Sequence, residues 1–382
     1  MIVHQLLYFI FSLFLVSCAA QSIKSFEDAN QTKNLSAEES RIWHASGEFD
    51  HGLVANGSIY ADDRLQRYVQ QVMDRLYPEY KGSIIVKVVD SPSLNAFALP
   101  NGSIYINTGM LARLDNEAQM ATVLAHEGVH FINKHGLKQR QNIENNNIVS
   151  MGITIVTGVP VLGQLMGASS IYGFSRDLER ESDAEGYKRL QDADYDTSQA
   201  AITFQYLLAE VEALNIDEPY FFSSHPDLVE RIDSFTELSS RVPGRRGYTG
   251  QRAYQEMVSD LRLEMLADYL AVGKYQSVLL MLTNSNDFNR YPPEAKFYLG
   301  EAYRLRGEEG DRARSGQAYQ YAIVHAPQFV ASYRALGIHY MKTEQLQKAE
   351  KLFSKYLELA PDAPDRAYIE NYRASLGTTK GD

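Results

Sequence analysis

Apolar residues recur along most of this chain at helical spacing, broken by two short runs where they crowd together as they do in strands. Helical signals begin at Ser36, which precedes Glu39 at the spacing where a serine hydroxyl and a glutamate carboxylate cap a helix start reciprocally. Leu65, Val69, Val72 and Leu76 form one stripe along residues 62–76, which predicts a helix with a single core-facing side. The segment Ser83-Ile84-Ile85-Val86-Lys87-Val88-Val89 is short and β-branched and predicts a strand. Pro100-Asn101-Gly102 predicts a turn, with a second strand behind it at Ser103, Ile104, Tyr105, Ile106 and Asn107. Asn116 caps the next helix, with Glu117 in its first turn. That helix carries Met120, Val123, Leu124, Val129 and Ile132 to about Lys134. The fold class that results is mainly α with a small β-sheet.

Beyond about residue 250 the pattern is helical throughout, and it repeats. Leu299-Gly300 with Tyr303 is echoed by Leu336-Gly337 with Tyr340. Pro327 is echoed by Pro361 at the ~34-residue period of tetratricopeptide repeats. Ala349, Phe353 and Tyr356 fall at matching positions in the second copy. The first copy carries an insertion, Gly307-Glu308-Glu309-Gly310-Asp311. A more degenerate helix pair with Ala267, Tyr269, Gly273 and Tyr275 precedes both. The expected organisation is a catalytic-type domain over residues 39–245 and a tetratricopeptide-repeat-like helical domain over residues 250–382.

Two apolar runs stand outside this scheme. The first fills residues 6–15 and ends in Leu15-Val16-Ser17-Cys18, which resembles a bacterial lipoprotein signal peptide with its lipobox. Residues 1–18 are therefore expected to be a signal, Cys18 a lipidated first residue, and residues 19–38 a flexible tether. Only His4 stands where such signals carry Lys or Arg. In lipoproteins a small residue such as Ala19 after the cysteine goes with outer-membrane sorting, so a periplasm-facing, lipid-anchored protein is implied. Cys18 is the single cysteine, which leaves the lipidated chain no disulfide. The second run, Ile148 to Tyr172, is long enough for a bilayer. It contains Pro160, Gly152, Gly158, Gly163 and Gly167 and lacks close basic flanks, so a buried or surface-attached helical hairpin is expected. The net charge of −11 argues against a nucleic-acid partner.

The chemistry enters at His126-Glu127-Gly128-Val129-His130. Two imidazoles at i and i+4 share a helix face and can bind one metal ion, and Glu127 can reach a water held on it. A hydrolytic zinc site needs a third protein ligand and an open position. Glu179, Glu181 and Glu185 in the run Ser175 to Gly186 are the candidates, and spacing alone leaves the choice open. No Ser or Cys nucleophile is evident, so the expected chemistry is attack by water, with Glu127 as general base. A strand shortly before a metal-binding helix can receive an extended peptide, which makes Ser103–Asn107 the expected substrate strand. The plainer reading is an ordinary hairpin.

Taken together, four motifs resemble the gluzincin endopeptidases related to the CAAX prenyl protease, in particular their bacterial periplasmic members with a tetratricopeptide tail. The motifs are Asn95-Ala96-Phe97 with Pro100 and Gly102, the HEGVH helix, Glu179-Arg180-Glu181-Ser182-Asp183, and Ser224-His225-Pro226 with Arg231. The resemblance covers about residues 40–235 and the tail. It implies one Zn²⁺ per chain held by His126, His130 and Glu179, with Asp183 buttressing a bound imidazole. Glu181 is then expected to be solvated. Ser182 replaces the family's usual alanine, a change expected to leave ligation intact. His225 would lie near the metal, either stabilising the oxyanion or filling the open position in a latent state. His135 is expected beside a ligand or facing solvent, and Arg176 either near a site carboxylate or on the surface. The implied substrates are misfolded or stalled envelope proteins, with outer-membrane assembly machinery as a partner of the repeats. A scaffold lipoprotein with a silent metal site, and an intramembrane protease, are the competing readings.

Overall fold

The computed structural model describes residues 23–27, 30–31, 34–145, 174–214, 225, 228–241, 247–283 and 290–378. The signal segment with Cys18, the apolar run 148–172, Ser224 and Pro226 lie outside the described residues. Among the described residues no helix is long and apolar enough to cross a membrane.

Helix α1 (Ala37–Ala55) opens on the expected reciprocal cap between Ser36 and Glu39. Helix α2 (Asp63–Leu76) starts at Asp62, whose carboxylate accepts from the Arg64 and Leu65 amides, and it buries the expected stripe Leu65, Val69, Val72 and Leu76. Three strands follow, β1 (Ile85–Val89), β2 (Ala96–Ala98) and β3 (Ser103–Asn107), in the order β1-β3-β2. β1 runs parallel to β3 and β2 antiparallel to it. Within residues 19–38, expected to be a tether, Phe26 is instead docked. It is buried, its amide bonds the Ile132 carbonyl at 2.9 Å, and its ring lies 5.4 Å from that of Phe131.

The expectation for Ser103–Asn107 as the substrate strand needs correction. β3 is the middle strand, paired on both sides and buried at every position, so it has no edge to offer. The outer edge of β1 is closed by side chains of α2. Gln66 donates to the Val86 carbonyl and accepts from the Val88 amide at 3.1 Å; Gln70 accepts from the Val86 amide at 2.8 Å and donates to the Ile84 carbonyl at 3.1 Å. Among the described residues, the edge of β2 is left without a partner strand. Its ladder bonds fall on Asn95 and Leu99, so two-residue alternation turns the backbone groups of Ala96 and Ala98 outward.

Helix α3 (Thr108–Arg113) leads to α4 (Glu117–Ile132), capped by Asn116 through the Gln119 amide and buried along its whole length. It ends before Lys134, whose φ of 53° turns the chain into α5 (His135–Asn145). Next come α6 (Arg176–Asp192), α7 (Ser198–Leu214) and α8 (Leu228–Ser240). α8 docks through Phe235, stacked on Phe204 at 5.4 Å.

Tyr254 and Val258 beside α9 (Gln251–Met257) and Leu261 on α10 (Ser259–Ala271) share one core with α4. The remaining helices are α11 (Tyr275–Thr283), α12 (Ala295–Arg306), α13 (Asp311–His325), α14 (Ala331–Lys342), α15 (Leu346–Leu359) and α16 (Arg366–Thr378). Here the echoed glycines have a physical reason. A Cβ at Gly300 would meet the Tyr319 ring at 2.3 Å, and one at Gly337 the Phe353 ring at 2.6 Å, so each hairpin needs glycine where its helices touch.

The tail is fastened to the sheet-bearing part by Arg262, which is fully buried. Its guanidinium donates to the carbonyls of Ala112 (3.1 Å) and Leu114 (2.7 Å), and also to that of Arg290. Arg262→Met would strand these acceptors away from water, at a cost of about 3 kcal/mol. Urea unfolding should show a lower midpoint. An unchanged midpoint would mean that the carbonyls are already hydrated.

Candidate metal centre

The HEGVH helix is set in rotation by its one glycine. A Cβ at Gly128 would meet the Tyr77 ring at 2.3 Å, so that ring lies flat on the helix, and its hydroxyl donates to the Ala125 carbonyl. His126 and His130 then face α6. That helix crosses closely because Gly186 lets it: a Cβ there would stand 3.2 Å from the His126 amide nitrogen. Glu179 and Asp183, one helical turn apart, point at the two imidazoles.

His126 Nε2 and His130 Nε2 lie 2.9 Å apart. Glu179 Oε2 is 3.5 Å from the first and Oε1 3.5 Å from the second. His225 joins them, its Nδ1 at 3.1 Å from His126 Nε2 and 2.9 Å from Glu179 Oε1. Donor atoms of these four buried residues all fall within 4.8 Å of one another. The set fits a metal ion on its own chemistry. Neutral imidazoles that aim ring nitrogens at each other can share only one proton per pair. Glu179 Oε2, moreover, is buried and lacks a hydrogen-bond donor. A divalent ion with bonds of ~2 Å to nitrogen and oxygen satisfies all of these lone pairs together.

The electrostatics agree. Burial drives the His126 imidazole well below its usual range, with Arg231 acting in the same direction, and pushes His130 down to about 3. Burial alone would raise Glu179, but His225 and His126 outweigh it and hold the carboxyl well below the ordinary value. The neutral imidazoles of His126 and His130 beside an ionised carboxylate are the forms that bind a metal, whereas at His225 burial is outweighed by Glu179 and Glu127, which raise its imidazole above the usual value. Burial raises Glu127 to about 7 against the opposing charge of His225. Its side chain lies 3.4 Å from His225 Nε2 and accepts from the Ala98 amide on the open edge of β2.

Around this ring stands a supporting layer. Asp183 Oδ1 is 2.9 Å from His126 Nδ1 and accepts from Arg231 Nη2 at 2.7 Å, while Arg231 Nε donates to Oδ2 at 2.9 Å. Arg231 was named in the sequence as part of a motif without a role, and nothing in its spacing could reveal one. Its buried guanidinium also lies on the Phe204 ring at 4.1 Å. His135 is buried next to His130 rather than solvent-facing. Arg176 is exposed at the first position of α6. Glu181, expected to be solvated, is half-buried and accepts from the Asn133 side chain at 2.7 Å. Glu185 is exposed and accepts from the same side chain at 3.1 Å.

Residues 60–239 match Peptidase family M48, whose members use zinc; the matched segment contains every residue of the cluster. The chain is 28% identical over 170 residues to the mitochondrial metalloendopeptidase OMA1 of Bos taurus, covering 40% of this chain and 32% of that protein. It is 29% identical over 178 residues to the OMA1 of Schizosaccharomyces pombe, covering 44% and 52%. To the beta-barrel assembly-enhancing protease of Yersinia pestis it is 27% identical over 187 residues, covering 45% and 38%. The matches thus span between 32% and 52% of these relatives' lengths.

Asp183→Asn would leave His126 without its charged partner and Arg231 uncompensated. Zinc affinity, read by competition with a chromogenic chelator, should fall about 10–100-fold. Wild-type affinity in the variant would show that His126 needs no carboxylate behind it.

Proposed function

We propose that this chain is a zinc-dependent endopeptidase. The observation that carries the reading is the meeting of three features at one point: the His126, His130, Glu179 cluster, the buried carboxyl of Glu127, and the open edge of β2. Zinc held by the cluster would supply a Lewis acid, which polarises a carbonyl and makes water acidic enough to attack it near neutral pH. Glu127 takes the proton from that water and returns it to the leaving amine, a double task suited to a group poised at about 7. The substrate lies extended beside β2, bonded by the outward backbone groups of Ala96 and the carbonyl of Ala98, whose amide is held by Glu127, with the scissile bond next to that carboxyl.

His225 restrains this chemistry. Its Nδ1 reaches the same centre as the three expected ligands, so it would compete there with the water that a bound zinc needs, and moving the side chain away would free that place. Proximity favours this latch over oxyanion binding, which needs a donor held outside the ligand ring.

The wider setting follows from the sequence. Cys18 anchors the protein by lipid on the periplasmic side, in the outer membrane. The helical hairpins of the tail, read as tetratricopeptide repeats, grip misfolded or stalled envelope proteins and contact outer-membrane assembly machinery. The likeness to a protease named for enhancing beta-barrel assembly supports this assignment.

Two outcomes test the proposal. Glu127→Gln should still take up one zinc per chain but cleave casein at least ~100-fold more slowly than wild type; equal cleavage would sink the catalytic reading and leave a scaffold. His225→Ala should cleave faster than wild type while holding zinc less tightly. A slower variant would assign His225 to the transition state instead.

A further inference from the structure

His135 is fully buried, yet it is not among the four residues that converge on the metal centre. The chain goes out of its way to put it there. Lys134 adopts a left-handed conformation, φ 53°, which costs a non-glycine residue about 1 kcal/mol. It is pinned by the Glu39 carboxylate at 2.7 Å and by the Phe26 ring, 4.0 Å from its ammonium. This turn folds α5 back so that the His135 ring meets the edge of the His130 ring, with centroids 4.9 Å apart and planes at 84°.

The two rings touch through Nδ1 of His130 and Nδ1 of His135, 3.1 Å apart. One must donate and the other accept. His130 turns Nε2 into the cluster, and a neutral imidazole can offer that lone pair only if its proton sits on Nδ1. His130 is therefore the donor and His135 Nδ1 the acceptor, which forces the proton of His135 onto its own Nε2. That nitrogen is buried without a hydrogen-bond partner and lies 3.4 Å from Glu181 Oε2, an ion-pair contact through which the carboxylate's charge acts, while the other oxygen of Glu181 is held by Asn133 at 2.7 Å.

We propose that His135 is a positioning residue that fixes the tautomer and ring plane of His130, and that Glu181 fixes His135 in turn. The proposal rests on the zinc reading above and deepens it. Helix α6 thus serves both histidines of the HEGVH helix by different routes: Asp183 holds His126 directly, and Glu181 holds His130 through an intervening imidazole. Ser182 Oγ lies 3.1 Å from the same Nδ1 of His135, so its hydroxyl shares an acceptor already in use and is dispensable to the relay.

The test uses the full-length chain, with zinc affinity measured by chelator competition and the proton on His130 located by histidine-selective ¹⁵N NMR of the zinc-free form, where no metal fixes the tautomer. His135→Ala should weaken zinc about 10–100-fold. His135→Asn, whose side-chain oxygen can stand about where Nδ1 stood, should recover most of the loss. Glu181→Ala should weaken zinc by a smaller factor and give mixed tautomers at His130; Ser182→Ala should bind like wild type. A purely structural role for His135 would make Asn and Ala equally poor and leave Glu181→Ala unaffected, which overturns the relay. So would a zinc-free form with the His130 proton on Nε2. Should His135→Ala fail to fold, the half-exposed Glu181 still decides the matter. Failure of the wild type to take up one zinc would refute the proposed function itself, whereas normal uptake with undisturbed variants refutes the relay alone.

Discussion

The approach of α6 to α4 at Gly186 is the contact on which the site stands. Every donor that α6 contributes arrives because no side chain separates the two helices there. On the opposite flank the Tyr77 ring rests on Gly128, so α4 is clasped between two glycine contacts that set its depth and rotation. Neither contact is chemical in itself. Each decides whether imidazoles from one helix and carboxylates from the other meet within bonding reach of a single ion.

The second constraint is dryness. α4 is buried at every position, polar residues included, and the interior tolerates ionisable groups only where each has a partner. Asp183 has Arg231, and Glu179 has His225. The same burial keeps the imidazoles unprotonated and lifts Glu127 towards neutrality. Packing and reactivity therefore have one cause. Opening the site to bulk water would remove the burial that lifts the Glu127 carboxyl.

Much of this was legible in the sequence, and the remainder was hidden for identifiable reasons. The α2 stripe, the Asn116 cap and the β-branched run at β1 carry strong local periods, and each forms where expected. His126 and His130 were readable from their i, i+4 spacing, whereas Glu179 had to be chosen by resemblance because three glutamates share its helix. The sheet order was not readable. β2 is three residues long, too short to show a period, and the glutamines that close β1 look like ordinary solvent positions on a helix. Glu181 was expected in water because it faces away from Asp183. The left-handed turn, which falls on Lys134 rather than on the neighbouring Asn133 or Gly136, brings α5 over it.

The two glutamines of α2 have one more consequence. A three-stranded sheet ordinarily exposes two rims, and either could template a ladder of copies. Here Gln66 and Gln70 imitate a missing neighbour along one rim, and among the described residues the short rim of Ala96 and Ala98 is left without a partner strand. On the proposed reading, a single extended polypeptide would add there, on the side of the histidine cluster.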